Sequence, residues 1–566
     1  MINRLKKIFI EKNIDGYIVP KNDEFFSEYA YPDRLKIISN FTGSYGLAIL
    51  LANKNYLFVD GRYTIQAKKQ SGNHFRIYQI PNTTPKIILS KLDKCLNLGF
   101  DPKLFTNESL KKIISPNHKL VPIQENLIDK ICTFQKLKKT KNFYTLNNKI
   151  ACESSLSKIN RLFNLLKKRK IDNLFISAPE NVAWLLNLRG WDNPFSPVPN
   201  CKIILTANKE IYFFSNGNKI KNIKNKLFYK KLKFYKFANF FEVITKIKGT
   251  NFCIDRYTCS IFNENVIKSN FIIISKNDPC YYLKSIKNKN EIENMKKAHI
   301  YDGVALTKFL FWAKKRSPKS LNELKIEKKL ESFRKKNNKY LYPSFSTIAG
   351  SGPNGAIIHY RANKLSNRTL KKNDLLLCDS GGQYKYGTTD VTRTISFGKP
   401  SKYIKNIFTR VLKGHIAVVT TNLSKTNKGS VIDKKARKWL KEINLDYPHG
   451  TGHGVGFFLN VHEGPQSISK FNNVPLKKGM IVSNEPGYYK ENKFGIRIEN
   501  LIYILEKKNK LIFENLTYAP IDKDLIDFSI LNKKEKIYLF KYNLDIYSKL
   551  SNYLNKNEKI WLQNLI

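Results

Sequence analysis

The feature that most restricts how this chain can fold is a series of short apolar runs in its last third that lead into acidic residues. The apolar run 375–378 ends on Asp379, and a second predicted strand carries Asp390. This spacing suits two antiparallel strands that hold both carboxylates on one face. The run 480–484 leads into Glu485, and the alternating segment 495–498 leads into Glu499. The pattern therefore predicts a mainly antiparallel region with four acids at or near its strand ends.

A glycine-rich segment with histidines lies between these acids. Three of the eight histidines of the chain, His449, His453 and His462, fall in residues 449–462, which begin HGTGHGVG. Glycine permits close backbone approach and unusual dihedral angles, as a crowded ligand site requires. Histidines in such a segment indicate metal binding or acid–base chemistry.

The alternation of side chains along the strands predicts which residues share a face. Ile496 and Ile498 should face a core, while Arg497 and Glu499 point the other way together. By the same rule, Thr392 should lie on the face of Asp390 and orient its carboxylate. Taken alone, the two aspartates also fit an exposed hairpin with solvated acids. Four acids with a histidine cluster between them favour one shared site.

The chemistry of this set of side chains favours a metal centre. The predicted ligands are one imidazole and four carboxylates: Asp379, Asp390, His453, Glu485 and Glu499. An oxygen-rich set without thiolate favours a hard ion such as Mn²⁺, with Co²⁺ or Zn²⁺ as alternatives. Four crowded carboxylates repel one another unless cations lie between them. We therefore expect two divalent ions sharing a bridging water, as in two-metal hydrolases.

The composition excludes several other classes of protein. The chain carries 100 Lys+Arg against 45 Asp+Glu, a net charge of +55, but the lysines are spread over every segment and no nucleic-acid motif accompanies them. We therefore expect a solvated basic surface and no nucleic-acid partner. No apolar run is long enough to predict a membrane span. Basic residues near the N-terminus interrupt the apolar stretch that a signal peptide would need. The eight cysteines are scattered singly, which fits a cytoplasmic protein.

The length and patterning predict several domains. Residues 1–140 and 141–283 read as two tandem α/β domains, 284–505 as the catalytic α+β domain and 506–566 as a helical C-terminal extension. The basic stretch 135–141 is a candidate linker. Predicted helices include residues 154–170, with Leu156 on the apolar stripe, one that begins near residue 290, and the tail, roughly 530–566, with Tyr553 on its stripe. Predicted strands include 17–19, 47–51, 56–59 and 174–176.

Several motifs, in order along nearly the whole chain, resemble those of the creatinase/prolidase-type "pita-bread" metallopeptidases, and within them the long, three-domain aminopeptidase P group. They are FTGSYG (41–46), VDGRYTIQA (59–67), WLLNLRG (184–190), SFSTIAGSGPNGAIIHY (344–360), HGTGHGVG, NEPGYY and GIRIEN. The resemblance implies two creatinase-N-like α/β domains, a pita-bread catalytic domain and a homodimer.

The resemblance also implies a role for each site residue. Asp379 would hold one ion, Asp390 and Glu499 would bridge both, and His453 and Glu485 would complete the shell of the other. His359 and His462 would lie near the substrate carbonyl, His449 near the proline-side pocket, and Arg497 would orient the acids. The implied reaction releases the N-terminal residue from peptides with proline in the second position, through a metal-bridging hydroxide. Glu485 would carry the proton of that water to the proline nitrogen.

Two other functions remain open at this point. A prolidase would act only on Xaa-Pro dipeptides, although the upstream domains and the C-terminal extension favour an aminopeptidase. A non-catalytic pita-bread module would serve binding alone. Such modules typically lose the metal ligands, and none of the five is missing here.

Overall fold

The computed structural model describes residues 1–134, 141–224, 226 and 228–566. Of the predicted linker 135–141, all but Lys141 lies outside the described residues. The chain forms two compact units, one of residues 1–148, 153–194 and 198–281, the other of 149–152, 195–197 and 282–566. Within the described residues, no helix combines the length and the apolar character that a membrane crossing requires.

The first unit begins with a six-stranded sheet of mixed direction. Its strands are β1 (Gly16–Pro20), β2 (Leu47–Leu51), β3 (Asn55–Asp60), β4 (Arg76–Ile80), β5 (Asn97–Phe100) and β6 (Lys119–Pro122), in the order β4-β3-β2-β1-β5-β6. The accompanying helices are α1 (Ile2–Glu11), α2 (Arg34–Ser39), α3 (Thr64–Ser71), α4 (Pro85–Leu89), α5 (Asn107–Ile113) and α6 (Leu127–Ile131). The strands predicted at 17–19, 47–51 and 56–59 are confirmed.

The next part of the chain repeats this topology. Its strands are β7 (Tyr144–Thr145), β8 (Asn173–Ile176), β9 (Leu188–Arg189), β10 (Cys201–Thr206), β11 (Ile211–Ser215), β12 (Lys233–Tyr235), β13 (Asn251–Ile254) and β14 (Ile272–Ser275). The large sheet has the order β12-β11-β10-β8-β13-β14, with the same parallel and antiparallel neighbours as the first sheet. The helices are α7 (Asn148–Ala151), α8 (Ser155–Arg169), α9 (Pro179–Leu185), α10 (Lys221–Lys224), α11 (Phe240–Lys246), α12 (Ile261–Lys268) and α13 (Pro279–Leu283).

The second unit carries the predicted site on smaller sheets. Its strands are β15 (Tyr340–Pro343), β16 (Ile348–Ser351), β17 (Leu375–Ser380), β18 (Gly382–Tyr384), β19 (Gly387–Thr388), β20 (Val391–Ser396), β21 (Gly452–Gly454), β22 (Glu463–Ile468), β23 (Ile481–Asn484), β24 (Gly487–Lys490), β25 (Phe494–Arg497), β26 (Asn500–Lys507) and β27 (Lys510–Asn515). They form sheets β15-β18-β19, β16-β17-β20, β22-β21-β23-β26-β27 and β24-β25. The helices are α14 (Lys289–Lys314), α15 (Glu323–Arg334), α16 (Lys402–Val419), α17 (Gly429–Lys441), α18 (Lys533–Leu550) and α19 (Lys556–Gln563).

Local sequence explains where three of these helices begin. Helices α14, α18 and α19 each start at an Asn-x-x-Glu capping box, formed by Asn288 and Glu291, Asn532 and Glu535, and Asn555 and Glu558. In each box the asparagine oxygen accepts from the backbone of the glutamate, whose carboxylate accepts from the backbone of the asparagine. Two backbone N–H groups that the helix leaves free are thereby satisfied.

Helices α16 and α18 pack into one core behind the predicted site. Ile496 and Ile498 are fully buried there with residues of α16 and with Tyr542 and Ile546 of α18. Each such aliphatic side chain stabilises the fold by about 1.5–3 kcal/mol. Two residues that the helical spacing assigned to buried stripes are wrongly placed: Leu156 is 43% exposed and Tyr553 is 53% exposed. Leu156 lies in the first turn of its helix, and Tyr553 lies beyond the end of α18, so neither is held against the core.

Candidate metal centre

The four predicted acids occupy the ends and junctions of strands. Asp379 is the penultimate residue of β17 and lies opposite Thr392 in the antiparallel pair β17–β20. Asp390 immediately precedes β20 rather than lying within it, because β18 and β19 intervene where the sequence indicated a simple turn. Glu485 follows β23, and Glu499 lies at the junction between β25 and β26.

The fold brings ligand atoms of three predicted residues together. One ligand atom from each of Asp390, His453 and Glu499 lies within 4.8 Å of the others. His453 Nε2 is 3.3 Å from Asp390 Oδ2 and 3.7 Å from Glu485 Oε1. Asp390 and Glu485 therefore both lie near the same imidazole nitrogen.

Asp379 joins this group through Arg497. Its Oδ2 accepts a hydrogen bond of 2.6 Å from Arg497 Nη2. Its Oδ1 is buried and has no hydrogen-bond partner among the described residues. A buried carboxylate oxygen without a donor is costly, so this atom indicates a place for a cation.

The hydroxyl of Thr392 organises a different acid from the one predicted. Thr392 Oγ1 donates to Glu499 Oε2 at 2.7 Å and accepts from Arg497 Nε at 3.0 Å. The prediction that it orients Asp390 is therefore wrong. The reason is the arrangement of the sheets, because the β25–β26 junction crosses over β20 at this point and the backbone N–H of Glu499 donates to Thr392 O. Arg497 and Glu499 do share a face, since both reach the same hydroxyl.

Glycines allow the strand of His453 to lie against that of Glu485. A Cβ added at Gly452 would be 1.9 Å from the carbonyl oxygen of Ser483, so no other residue fits without movement. The approach lets Ser483 Oγ accept from the backbone N–H of His453 at 2.9 Å and donate to Glu485 Oε1 at 3.1 Å. One serine hydroxyl therefore fixes two of the predicted ligands.

The tautomer of His453 is set by its own neighbour. Its Nδ1 lies 2.9 Å from the carbonyl oxygen of Gly454, so Nδ1 carries the proton and donates. Nε2 therefore carries a lone pair toward Asp390 and Glu485 in the neutral imidazole. This is the form that binds a metal ion.

The charges of the site show that a cation fits. Burial lowers the pKa of His453, but the hydrogen bond to Asp390 and the charge of Glu485 outweigh it and raise the pKa to about 9. Burial raises the pKa of Asp379, Arg497 lowers it, and the charges of Asp390 and Glu485 raise it, to about 6 overall. Burial and the same neighbouring acids raise the pKa of Glu499 well above its ordinary range. Acids that hold protons this strongly need positive charge, which divalent ions would supply.

His449 is connected to Asp379 by a chain of hydrogen bonds that the sequence analysis missed. Tyr489 OH lies 2.9 Å from His449 Nε2 and accepts from Arg497 Nη1 at 2.7 Å. Because it accepts from arginine, the hydroxyl donates to the histidine, whose Nδ1 faces the carbonyl of Gly450 at 2.8 Å. Tyr489 belongs to the motif NEPGYY, but only the pairing of β24 with β25, Gly487 opposite Arg497, brings it to the arginine.

The remaining two predicted histidines are His462, which contacts His453, and His359, which lies in a loop attached to β25. The His462 ring packs edge-on against that of His453, with centroids 4.4 Å apart. His359 is half-buried in the loop that follows a short 3-10 helix, Gly352–Ala356. The backbone of this helix touches β25, since a Cβ added at Gly495 would be 1.8 Å from Gly355 O. The loop of His359 is thus attached to the strand of Arg497.

Comparisons with known proteins agree with this arrangement. Family models match in series along the chain: Creatinase/Prolidase N-terminal domain at 1–131 and again at 134–291, Metallopeptidase family M24 at 293–506, and C-terminal region of peptidase M24 at 509–565. A probable Xaa-Pro aminopeptidase P of Laccaria bicolor is 38% identical, over 99% of this chain and 92% of that protein.

Solved structures give the same result. The X-prolyl aminopeptidase of Caenorhabditis elegans, described as a cytosolic enzyme with a di-nuclear active site, is 28% identical with a TM-score of 0.93, covering 100% of this chain and 98% of that one. A prolidase from Pyrococcus furiosus is 27% identical with a TM-score of 0.52 and covers 63% of this chain and 98% of its own. The predicted fold class is confirmed, and the chain belongs to metallopeptidase family M24 and, within it, to the Xaa-Pro aminopeptidase P group.

Proposed function

We propose that this protein is a metal-dependent aminopeptidase that releases the N-terminal residue from peptides with proline in the second position. The observation that carries the proposal is the convergence of ligand atoms of Asp390, His453 and Glu499 within 4.8 Å, together with the buried Oδ1 of Asp379, which has no hydrogen-bond partner in the described part of the chain. A relative of known structure that covers 100% of this chain is described as an X-prolyl aminopeptidase with a di-nuclear active site.

Five side chains would hold the ions. Asp379, Asp390, His453, Glu485 and Glu499 offer four carboxylates and one imidazole, a hard donor set that favours Mn²⁺, with Co²⁺ or Zn²⁺ as alternatives. When bound, two such ions lower the pKa of a shared water and polarise the peptide carbonyl. By their resemblance to the family pattern, Asp390 and Glu499 would each serve both ions.

The surrounding residues keep these ligands in position. Arg497 holds Asp379 and Thr392 at once, and Thr392 holds Glu499. Ser483 links Glu485 to the backbone of His453. Hydrogen-bonded partners of this kind set the direction in which a ligand's lone pairs point. These hydrogen bonds support the proposal that the five side chains are already oriented as ligands before substrate arrives.

The reaction also needs groups that act on the substrate. An Xaa-Pro bond has no N–H, and the proline ring fixes φ, so it fits poorly where a peptidase pairs with an extended backbone. We assign the stabilisation of the carbonyl oxygen to His462 and His359, and place His449 toward the proline side. Glu485 takes the proton of the attacking water and gives it to the proline nitrogen as the bond breaks.

A dipeptide-specific prolidase is the alternative within the family. The prolidase from Pyrococcus furiosus covers 63% of this chain, whereas the fungal aminopeptidase P relative matches 99% of it. The extra α/β domain and the C-terminal region therefore favour aminopeptidase activity. The deciding assay measures Mn²⁺-dependent hydrolysis of Xaa-Pro-Xaa tripeptides and of Xaa-Pro dipeptides.

We expect cleavage of the tripeptides that a chelator abolishes, Mn²⁺ restores and His453→Ala eliminates. Cleavage of dipeptides alone would establish the prolidase. Activity that survives both chelation and His453→Ala would exclude the two-metal mechanism. A correctly folded protein that hydrolyses neither tripeptides nor dipeptides would favour the non-catalytic binding module.

We also propose a cytoplasmic homodimer, without a nucleic-acid or membrane partner, and domain boundaries near residues 140, 283 and 505.

Ile537, Phe540 and Leu544 form an exposed apolar stripe on α18, with exposed fractions of 44%, 52% and 47%. Such a stripe suits pairing between copies of the chain. Sedimentation velocity should give a dimer for the wild type and a monomer for Phe540→Lys, and an unchanged dimer would exclude this surface.

A further inference from the structure

Arg393 is a buried cation next to the site with an unusual set of partners. Its side chain lies in β20, one residue after Thr392, and is 1% exposed. Among the described residues, all the acceptors of its N–H groups are neutral oxygens. A buried guanidinium without a carboxylate depends on full hydrogen bonding, because each donor left without a partner costs free energy.

One side of the guanidinium holds the junction that carries Glu499. Arg393 Nη1 donates to Glu499 O and to Thr392 O, each at 2.7 Å. Nη2 donates to Asn500 Oδ1 at 2.7 Å. The backbone of Glu499 and the side chain of the next residue are therefore both fixed by the same cation.

The other side of the guanidinium holds the C-terminal extension. Arg393 Nε donates to Pro520 O at 3.0 Å. The two hydrogens of Nη2 are shared among three acceptors: Asn500 Oδ1, Ala519 O at 2.8 Å and Tyr542 OH at 2.9 Å. Tyr542, in α18, also accepts from Asn500 Nδ2 at 3.1 Å. Tyr542, Arg393 and Asn500 thus form a closed triangle of hydrogen bonds.

We propose that the C-terminal extension completes the metal centre, with Tyr542 acting as a positioning residue for Glu499 through Arg393 and Asn500. The inference rests on the proposed metallopeptidase function. Without the phenol hydroxyl, both Arg393 and Asn500 lose an acceptor and the junction of β25 and β26 gains freedom. Glu499 is then held less firmly, and divalent ions bind less tightly.

The test compares Tyr542→Phe with Tyr538→Phe in the full-length protein. Tyr538 lies one turn earlier on α18, stacks on Tyr542 with 7° between the rings, and accepts from Asn515 Nδ2 at 3.0 Å. Each variant removes one hydroxyl from the same helix, but of the two hydroxyls only that of Tyr542 accepts a hydrogen bond from Arg393 among the described residues. Mn²⁺ titration of the metal-free protein by calorimetry is the main readout, with kcat, KM and thermal unfolding beside it.

We expect Tyr542→Phe to weaken Mn²⁺ binding by roughly 10-fold or more and to lower kcat with little change in KM. Tyr538→Phe should keep Mn²⁺ affinity within about twofold of the wild type, because its hydroxyl reaches Asn500 only indirectly, through Asn515, and is not hydrogen-bonded to Arg393 in the described residues. Equal Mn²⁺ affinities in the two variants would overturn the inference. Failure of the wild type to bind Mn²⁺ would instead refute the proposed function, so the two failures are distinguishable.

Discussion

Buried acids occur in both units of the molecule, and they are held in different ways. In the first unit, Asp278 is 3% exposed, and its two oxygens accept from Asn181 Nδ2 at 2.7 Å and from the backbone of Cys280 at 2.8 Å. Asp255 accepts from the backbone of Tyr257 at 2.8 Å and of Asp278 at 2.7 Å. Both acids stabilise turns and have a donor for each oxygen.

The acids of the candidate metal centre, in the second unit, face one another instead. Asp390 and Glu485 both approach His453 Nε2, and Asp379 has a buried oxygen without a donor among the described residues. Burial is the largest cause that raises the pKa of both Asp278 and Asp379, and each reaches about 6. A raised pKa therefore does not mark the functional acids. The missing donor and the neighbouring carboxylates do, because they leave room and charge for a cation.

The largest expected effect separates these two kinds of acid. Asp379→Asn keeps the shape of the side chain but removes a ligand, so we expect the metal content to fall and kcat/KM on an Xaa-Pro-Xaa peptide to drop by about 10³-fold, several kcal/mol of lost metal catalysis. Asp278→Asn is the control and should retain metal and activity. Metal content is measured by elemental analysis and kcat/KM by steady-state kinetics. Equal losses of metal and activity in the two variants would contradict the distinction between the two kinds of acid.

The pH dependence of the free energy of unfolding should reveal the raised pKa of Asp278. Burial raises its pKa from 3.8 to about 6, so between these pH values the unfolded chain has released a proton that the folded chain still holds. Stability therefore falls as pH rises through this window, by about 3 kcal/mol. Urea unfolding of wild type and Asp278→Asn from pH 4 to pH 7 measures the difference. If the free energies of unfolding of the two proteins differ by the same amount at every pH, the raised pKa of Asp278 is contradicted.

Metal should stabilise the protein through the second unit only. A ligand at 100 times its Kd stabilises the folded state by about 2.7 kcal/mol, so Mn²⁺ should raise the unfolding temperature and a chelator should reverse the rise. The same gain is expected in Asp278→Asn and a smaller one in Asp379→Asn, by scanning calorimetry. An unreduced gain in Asp379→Asn would mean that the stabilising ion binds elsewhere.

A smaller effect tests an acid that lies in the second unit but is held like those of the first. Glu323 is fully buried, and its oxygens accept from Ser351 N, Asn354 Nδ2, Tyr360 OH and Arg368 N at 2.7–3.0 Å. These four donors bracket the loop of His359. Glu323→Gln replaces one acceptor oxygen with an NH2 group that faces hydrogen-bond donors. We therefore expect the free energy of unfolding to fall by about 2 kcal/mol and kcat to fall as well.

The comparison predicts that Glu323→Gln retains its metal, because Glu323 already has a donor at each oxygen. Glu327→Gln, on the same helix, serves as the control. Loss of Mn²⁺ from Glu323→Gln, by elemental analysis, would show that a fully bonded acid also supports the metal centre.

Much of the architecture was predictable because it depends on local patterns. The strands at 47–51 and 174–176 and the helices α8 and α14 follow from alternation or helical spacing, and the apolar runs placed Asp379 and Glu485 at strand ends. Asp390 was assigned to a strand, whereas it precedes one, because the short pair β18–β19 has no strong periodicity. Leu156 was assigned to a core from spacing alone, which does not show where that core ends.

The sequence by itself determined which atoms are available to a metal ion and which neighbours share a face, as with Arg497 and Glu499. These follow from the period of a strand and from residue chemistry. Only the tertiary structure decided that Thr392 holds Glu499, that Tyr489 links His449 to Arg497, and that Tyr542 reaches Arg393 from the C-terminal extension. The physical reason is that hydrogen bonds between distant segments depend on sheet register and helix packing, which local spacing does not encode.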